Sequence, residues 1–236
     1  MALPELNTAR YEMVIPSTGE TVSYRPYLVK EEKILMMAME SDDNKVIMKA
    51  TTDVIKSCIY DDFDVDELTT FDVETIFLEL RSKSVGEKID LKVKCNDEEC
   101  DKVSDVVINF DDIERPVVSD EISKIMLTDT VGVVMKYPSV KFMDKMTTMG
   151  ENEADQAMNM ILACIDAIFD DDEVHPAENE SKESLQKFID SLSTVQFMRL
   201  SDFFRDMPGL KHDIEYTCQC GKEQTQTLRG LASFFT

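Results

Sequence analysis

Two pairs of cysteines constrain this chain more than any other feature. Cys95 and Cys100 have four residues between them in KCNDEEC, and Cys218 and Cys220 flank a single residue in TCQCGKEQ, residues 217–224. Each pair interrupts strand-like sequence. Ile89, Leu91 and Val93 alternate before the first pair, with Val103, Val107 and Ile108 after it, and KHDIEY and EQTQTL bracket the second. Each pair is therefore expected at the tip of a β-hairpin. Two tips that give two thiolates apiece make a tetrahedral four-cysteine zinc site, with each sulfur about 2.3 Å from the ion. Protein would supply every ligand, leaving no open coordination position, so a single zinc ion would be structural. It would clamp segments with 117 residues between them. Gly221 lets the backbone after Cys220 curl its amides toward sulfur, and Lys94, Lys102 and Lys222 offset part of the thiolate charge.

The spacing departs from the common C-x2-C. Two alternatives stay open: a disulfide (Cys95–Cys100 or a cross-pair), which a reducing cytosol disfavours, and four unrelated thiols. Cys58 in VIKSCIY and Cys164 in ILACIDAIF lie in apolar helical runs and are expected as core thiols.

The remaining pattern predicts an α+β chain: a mainly helical core with an N-terminal β-hairpin and a discontinuous zinc-ribbon-like β module. Tyr11, Met13 and Ile15 alternate, PSTGE turns at Gly19, and Val22 and Tyr24 resume. Helices are expected over 29–41, 44–60 and 64–86, the last with an acidic start and stopped by Gly86. A long helix is expected over 119–137, one or two more over 139–169, an acidic loop over 170–181, and helices over 181–192 and 193–210, ended by Pro208-Gly209. The chain 1–236 is read as one globular unit with sub-modules at 9–28 (hairpin), 29–84 (helical), 85–112 plus 211–236 (the metal module) and 113–210 (helical).

Charge and motif content exclude several functions. There are 48 acidic and 25 basic residues, a net charge of −23, and so negative a surface repels phosphate backbones. No run approaches the roughly 20 apolar residues of a membrane span, and MALPELNTAR has no export pattern. His175 and His212 have no nucleophile or zinc-catalytic neighbour in the sequence. Asp62, Asp64 and Asp66 mimic a calcium loop, but Glu67 stands where Gly is needed and Val73 where a bidentate Glu is needed. No phosphate-cradling or hydrolase motif occurs. The chain is expected not to be an enzyme and to use no small-molecule substrate. The 15 methionines, many of them in ILMMAME, MDKMTTM and AMNMILA, are expected mainly as core filler, with an adaptable contact surface as the other use.

Two stretches carry a resemblance. LNTARYEMVIPSTGETVSYRPYLVKEEKILMMAMES at the start and STVQFMRLSDFFRDMPGLKHDIEYTCQCGKEQTQTLRGLASFF at the end resemble the baseplate hub proteins of T-even-type contractile-tailed bacteriophages. The resemblance implies a phage-encoded, non-enzymatic protein of tail baseplate hub assembly, acting as a hub subunit or as a chaperone for the hub. Its partners would be other tail and baseplate hub proteins. Its place would be the host bacterial cytoplasm during assembly, or the virion tail baseplate. Tyr24, Arg25 and Tyr27 are interface-type residues, and Phe234-Phe235 either packs on the chain's own core or docks into a partner. The reading from a different class is an acidic host-directed regulator, a nucleic-acid mimic on a basic host protein.

Overall fold

Alternating residues close the N-terminal hairpin: β1 (Tyr11–Val14) and β2 (Thr21–Tyr24) run antiparallel with Tyr11 opposite Tyr24. The computed structural model describes residues 7–41, 43–97, 99–118, 120–148 and 152–234. Gly19 turns the hairpin at φ 71°, a left-handed conformation that its missing Cβ permits. Met13, Ile15, Val22 and Tyr24 face inward. Then come α1 (Val29–Met39) and α2 (Asn44–Cys58), the latter capped by Asp43, which accepts from the Lys45 amide at 2.8 Å.

α3 (Thr70–Ser84) starts later than the span 64–86 read from the sequence. Asp64 instead caps a separate 3-10 turn at Val65–Glu67. Thr69 and Asp72 cap the helix reciprocally: the Asp72 amide donates to Thr69 Oγ1 at 3.2 Å, and the Thr69 amide to Asp72 Oδ2 at 3.1 Å. Asp72 also accepts from the Ser17 amide at 2.9 Å, so one fully buried carboxylate pins the hairpin turn to the helix start. Phe71, Val73, Ile76, Phe77, Leu78 and Leu80 are all buried, as in a helix enclosed on every side. β3 (Lys88–Lys94) and β4 (Val103–Asn109) pair antiparallel, Lys88 opposite Asn109.

The next segment differs from its expected helices. α4 (Asp120–Ser123) is one turn long and leads into β5 (Lys124–Met126) and β6 (Gly132–Met135). α5 (Val140–Thr148) and α6 (Glu153–Cys164) follow, and α6 runs straight into β7 (Ile165–Phe169). β8 (Val174–Pro176) lies inside the expected acidic loop. The four strands form an antiparallel sheet in the order β5-β6-β7-β8. The physical reason is local: Val131, Val133 and Val134 are stiff at χ1 and Gly132 is a poor helix former, so 131–134 favours strand. Asp170 builds the β7–β8 turn by accepting from the Asp172 and Glu173 amides, each at 2.9 Å, and these bonds lower its carboxyl below the usual range. α7 (Lys182–Asp190) and α8 (Thr194–Arg205) complete this unit, whose core includes Val133, Met135, Ile161, Cys164, Leu200 and Phe203.

The chain ends in β9 (Lys211–Thr217) and β10 (Glu223–Arg229), antiparallel with Lys211 opposite Arg229. Two compact units result: Met1–Pro116 with Gly209–Thr236, and Val117–Pro208. The fold is α+β.

Three expectations about surface residues change. Tyr24 is 1% exposed, Tyr27 stacks on Phe77 with ring centroids 6.3 Å apart, and Arg25 bonds to Glu31 and to the Ser57 carbonyl. These serve the unit's interior rather than an interface. Burial pushes both tyrosines up to about 12. Phe234 is fully buried within the chain, whereas Phe235 lies outside the described residues. In ILMMAME the core-filler expectation fails, since Met36 and Met37 point to solvent.

Candidate metal centre

The β3–β4 and β9–β10 hairpins bring their tips to one place. Cys95 follows β3 directly, and its amide donates to the Lys102 carbonyl at 3.1 Å, closing the first tip; the Cys100 amide donates to the Asp97 carbonyl at 2.9 Å within it. In the second tip the Cys218 amide donates to the Lys222 carbonyl at 3.0 Å and the Gly221 amide to the Cys218 carbonyl at 2.8 Å. Gly221 adopts φ 85°, which a residue with a Cβ rarely takes. Its amide closes the turn.

All four sulfurs lie within 4.8 Å of one another. Cys95 and Cys218 are buried, Cys100 is partly buried and Cys220 is exposed. Cys100 Sγ and Cys218 Sγ are 3.8 Å apart. Four thiolates placed 2.3 Å from a central ion stand about 3.8 Å from each other along the tetrahedron's edges. The donor set therefore fits a metal ion of tetrahedral preference.

Three sulfurs share one local device: the amide two residues on donates to sulfur. Asp97 serves Cys95, Lys102 serves Cys100, and Cys220 serves Cys218. The Cys220 amide holds the Cys218 thiol down to about 7, against its burial. The Asp97 amide would lower Cys95 as well, but burial and the three neighbouring thiols outweigh it and push Cys95 up to about 12. One thiolate thus forms readily, and each further negative charge beside it is resisted. A divalent cation removes that resistance by balancing the thiolates.

Side chains also cross between the hairpins. Tyr216 donates to the Lys94 carbonyl at 3.0 Å, Asn96 to the Thr225 carbonyl at 3.2 Å, and Lys102 to the Gln219 carbonyl at 3.1 Å. Lys222 pairs with Asp97. Lys102 and Lys222, expected beside the site as counter-charges, are two of these cross-hairpin partners. Asn96, Asp97 and Tyr216 are further cross-hairpin partners whose sole signal in the sequence is their nearness to the cysteines.

Other residues singled out from the sequence fall elsewhere. His212 faces the Asp112 carbonyl through Nδ1 at 2.9 Å. His175 pairs with Ile168 in the β7–β8 ladder. Asp66 pairs with Lys56 at 2.7 Å. Cys58 and Cys164 are each 1% exposed. Among the described residues no helix is long and apolar enough to cross a membrane.

A family model described as T4 bacteriophage base plate protein matches residues 8–236. No curated protein and no solved structure matches the chain.

Proposed function

The chain belongs to the T4 bacteriophage base plate protein family, and from that premise we propose that it acts in assembly of the tail baseplate hub, as a hub subunit or a hub assembly chaperone. The match over residues 8–236 supports a baseplate role, and the hub is the finer part of the proposal. The protein works through contacts with other tail and baseplate hub proteins, without turnover and without nucleic acid, membrane or small-molecule substrate. It acts in the host cytoplasm during assembly, or in the virion tail baseplate.

In the same reading Cys95, Cys100, Cys218 and Cys220 hold one structural zinc ion. The 3.8 Å sulfur separation and the amides aimed at three sulfurs support it. Bound zinc supplies a closed tetrathiolate bond set and leaves no position for substrate. The segments 85–112 and 211–236 then act as one zinc-ribbon-like module, beside the hairpin 9–28 and the helices of 29–84.

The test is genetic and compositional. A nonsense mutation in the gene is expected to abolish baseplates in infected-cell lysates viewed by electron microscopy, with a plasmid copy restoring them. Normal baseplates without the protein would refute the reading. Mass spectrometry of purified virions then separates the two variants, since a subunit stays in the tail and a chaperone leaves. Metal analysis of reduced, purified protein is expected to give near one equivalent of zinc.

A further inference from the structure

Helix α1 turns its apolar residues outward. Val29, Ile34, Met36, Met37 and Met39 are 79%, 47%, 61%, 63% and 37% exposed, while Glu31 and Ala38 are buried. At about 100° per residue, Glu31, Leu35 and Ala38 mark the inward side, and the outermost row is Val29, Lys33, Met36, Met37 and Glu40. A helix is expected to bury its apolar stripe; here the stripe faces solvent.

The outward row has an internal symmetry. Residues 33–40 read KILMMAME, apolar throughout except for a lysine at one end and a glutamate at the other. Reversing the direction exchanges the two charges and leaves Met36-Met37 at the centre. Among the described residues neither Lys33 nor Glu40 takes part in an ion pair within the chain. Glu40 sits at the C-cap, where the helix dipole disfavours an anion, and the last turn has no basic residue to answer it.

We infer that α1 pairs with α1 of a second copy of this chain, antiparallel across a two-fold axis at Met36 and Met37. Lys33 of each copy meets Glu40 of the other, and the methionines interdigitate between them, their flexible thioethers filling an irregular seam. Such an interface is isologous, the same patch serving both sides. An 11-residue helix is about 16 Å long, which covers less than the roughly 800 Å² per partner of a standard interface. Self-association is therefore expected to be weak, as for interfaces at the small end of the range. This inference depends on neither the baseplate assignment nor the metal.

The experiment is sedimentation equilibrium of the full chain over about 5–300 µM at physiological ionic strength, where the Debye length of about 8 Å screens each copy's net charge. A monomer–dimer equilibrium is expected. K33E and E40K alone each place like charges together twice and should raise the dissociation constant at least tenfold. An equimolar mixture of the two variants, or the double variant K33E/E40K, re-forms both opposite-charge pairs and should return the constant to within about threefold of the parent. Both positions are exposed, and far-UV circular dichroism checks that each variant is folded. A monomer at every concentration, or a dimer that neither single variant weakens, overturns the proposal. Failure of the mixture to recover dimers overturns the antiparallel register.

Discussion

A thiol in this chain takes its character from its surroundings. Cys58 and Cys164 are buried among apolar helix residues, and burial pushes them up to about 11 and about 12, which leaves them unreactive. Cys218 is as deeply buried at 2% exposure, yet the Cys220 amide holds it down to about 7. Cys218→Ser is therefore expected to cut bound zinc, measured by mass spectrometry, to below about half an equivalent and to lower the melting temperature with it, because a closed metal site contributes directly to folding. Cys58→Ala should leave metal content unchanged and cost on the order of 1 kcal/mol. A zinc-replete Cys218→Ser protein would count against the ligand assignment. Glu31 gives a pH counterpart. Burial raises its carboxyl, but hydrogen bonds from Arg25 at 2.9 Å, the Leu28 amide at 2.8 Å and Lys30 prevail and lower it. With the folded value below the unfolded one, its contribution is complete above about pH 4.3 and fades as pH falls through the folded value. Glu31→Gln should cost about 2 kcal/mol at pH 7, and urea midpoints should converge with the parent in acid. Single residues were legible to different degrees. Cysteines announce chemistry by type, whereas Tyr24 and Arg25 look the same at an interface and in a core; the alternation of Val22 and Tyr24 was the available clue.

Elements with punctuation were readable and elements without it were not. The first hairpin has Gly19 at its turn, and α7 and α8 have Ser181 and Ser193 as caps. Between 119 and 169 such marks are few. β5 and β8 have three residues each, too short for a period to register, and AMNMILACIDAIF passes from α6 into β7 without a polar break. Over such a run, periodicity alone does not separate helix from strand. Gly132 was the missed signal. It pairs with Phe169 across the β6–β7 ladder, and a Cβ there would stand 2.8 Å from Phe169 Cε1 with another ring atom closer still. Gly132→Ala is therefore expected to cost about 1–3 kcal/mol by overpacking. In a Phe169→Ala background the same change should cost far less, because the obstructing ring is gone. Thermal melts of the four proteins form a double-mutant cycle, and additive losses would show that the ring is not the obstacle.

At the scale of the molecule, the chain leaves one unit and returns to it at a single point. Glu114 and Lys211 exchange backbone hydrogen bonds of 2.9 and 3.3 Å, so the two crossings lie side by side. Glu74 of α3 then grips the returning segment, accepting from the Leu210 amide at 3.4 Å and the Leu231 amide at 3.2 Å. Burial raises that carboxyl above its ordinary value, a cost it bears while satisfying two buried amides. The four sulfurs all come from the unit made of Met1–Pro116 and Gly209–Thr236. Loop-closure entropy changes only slowly with the length of a connection. Replacing Val117–Pro208 by a flexible linker of about six residues, enough to span paired neighbours, should leave a chain that folds cooperatively and binds one equivalent of zinc. Its melt should stay chelator-sensitive. A shortened chain that is unfolded with zinc present, while the full chain is not, would show that the metal module needs Val117–Pro208 for more than continuity.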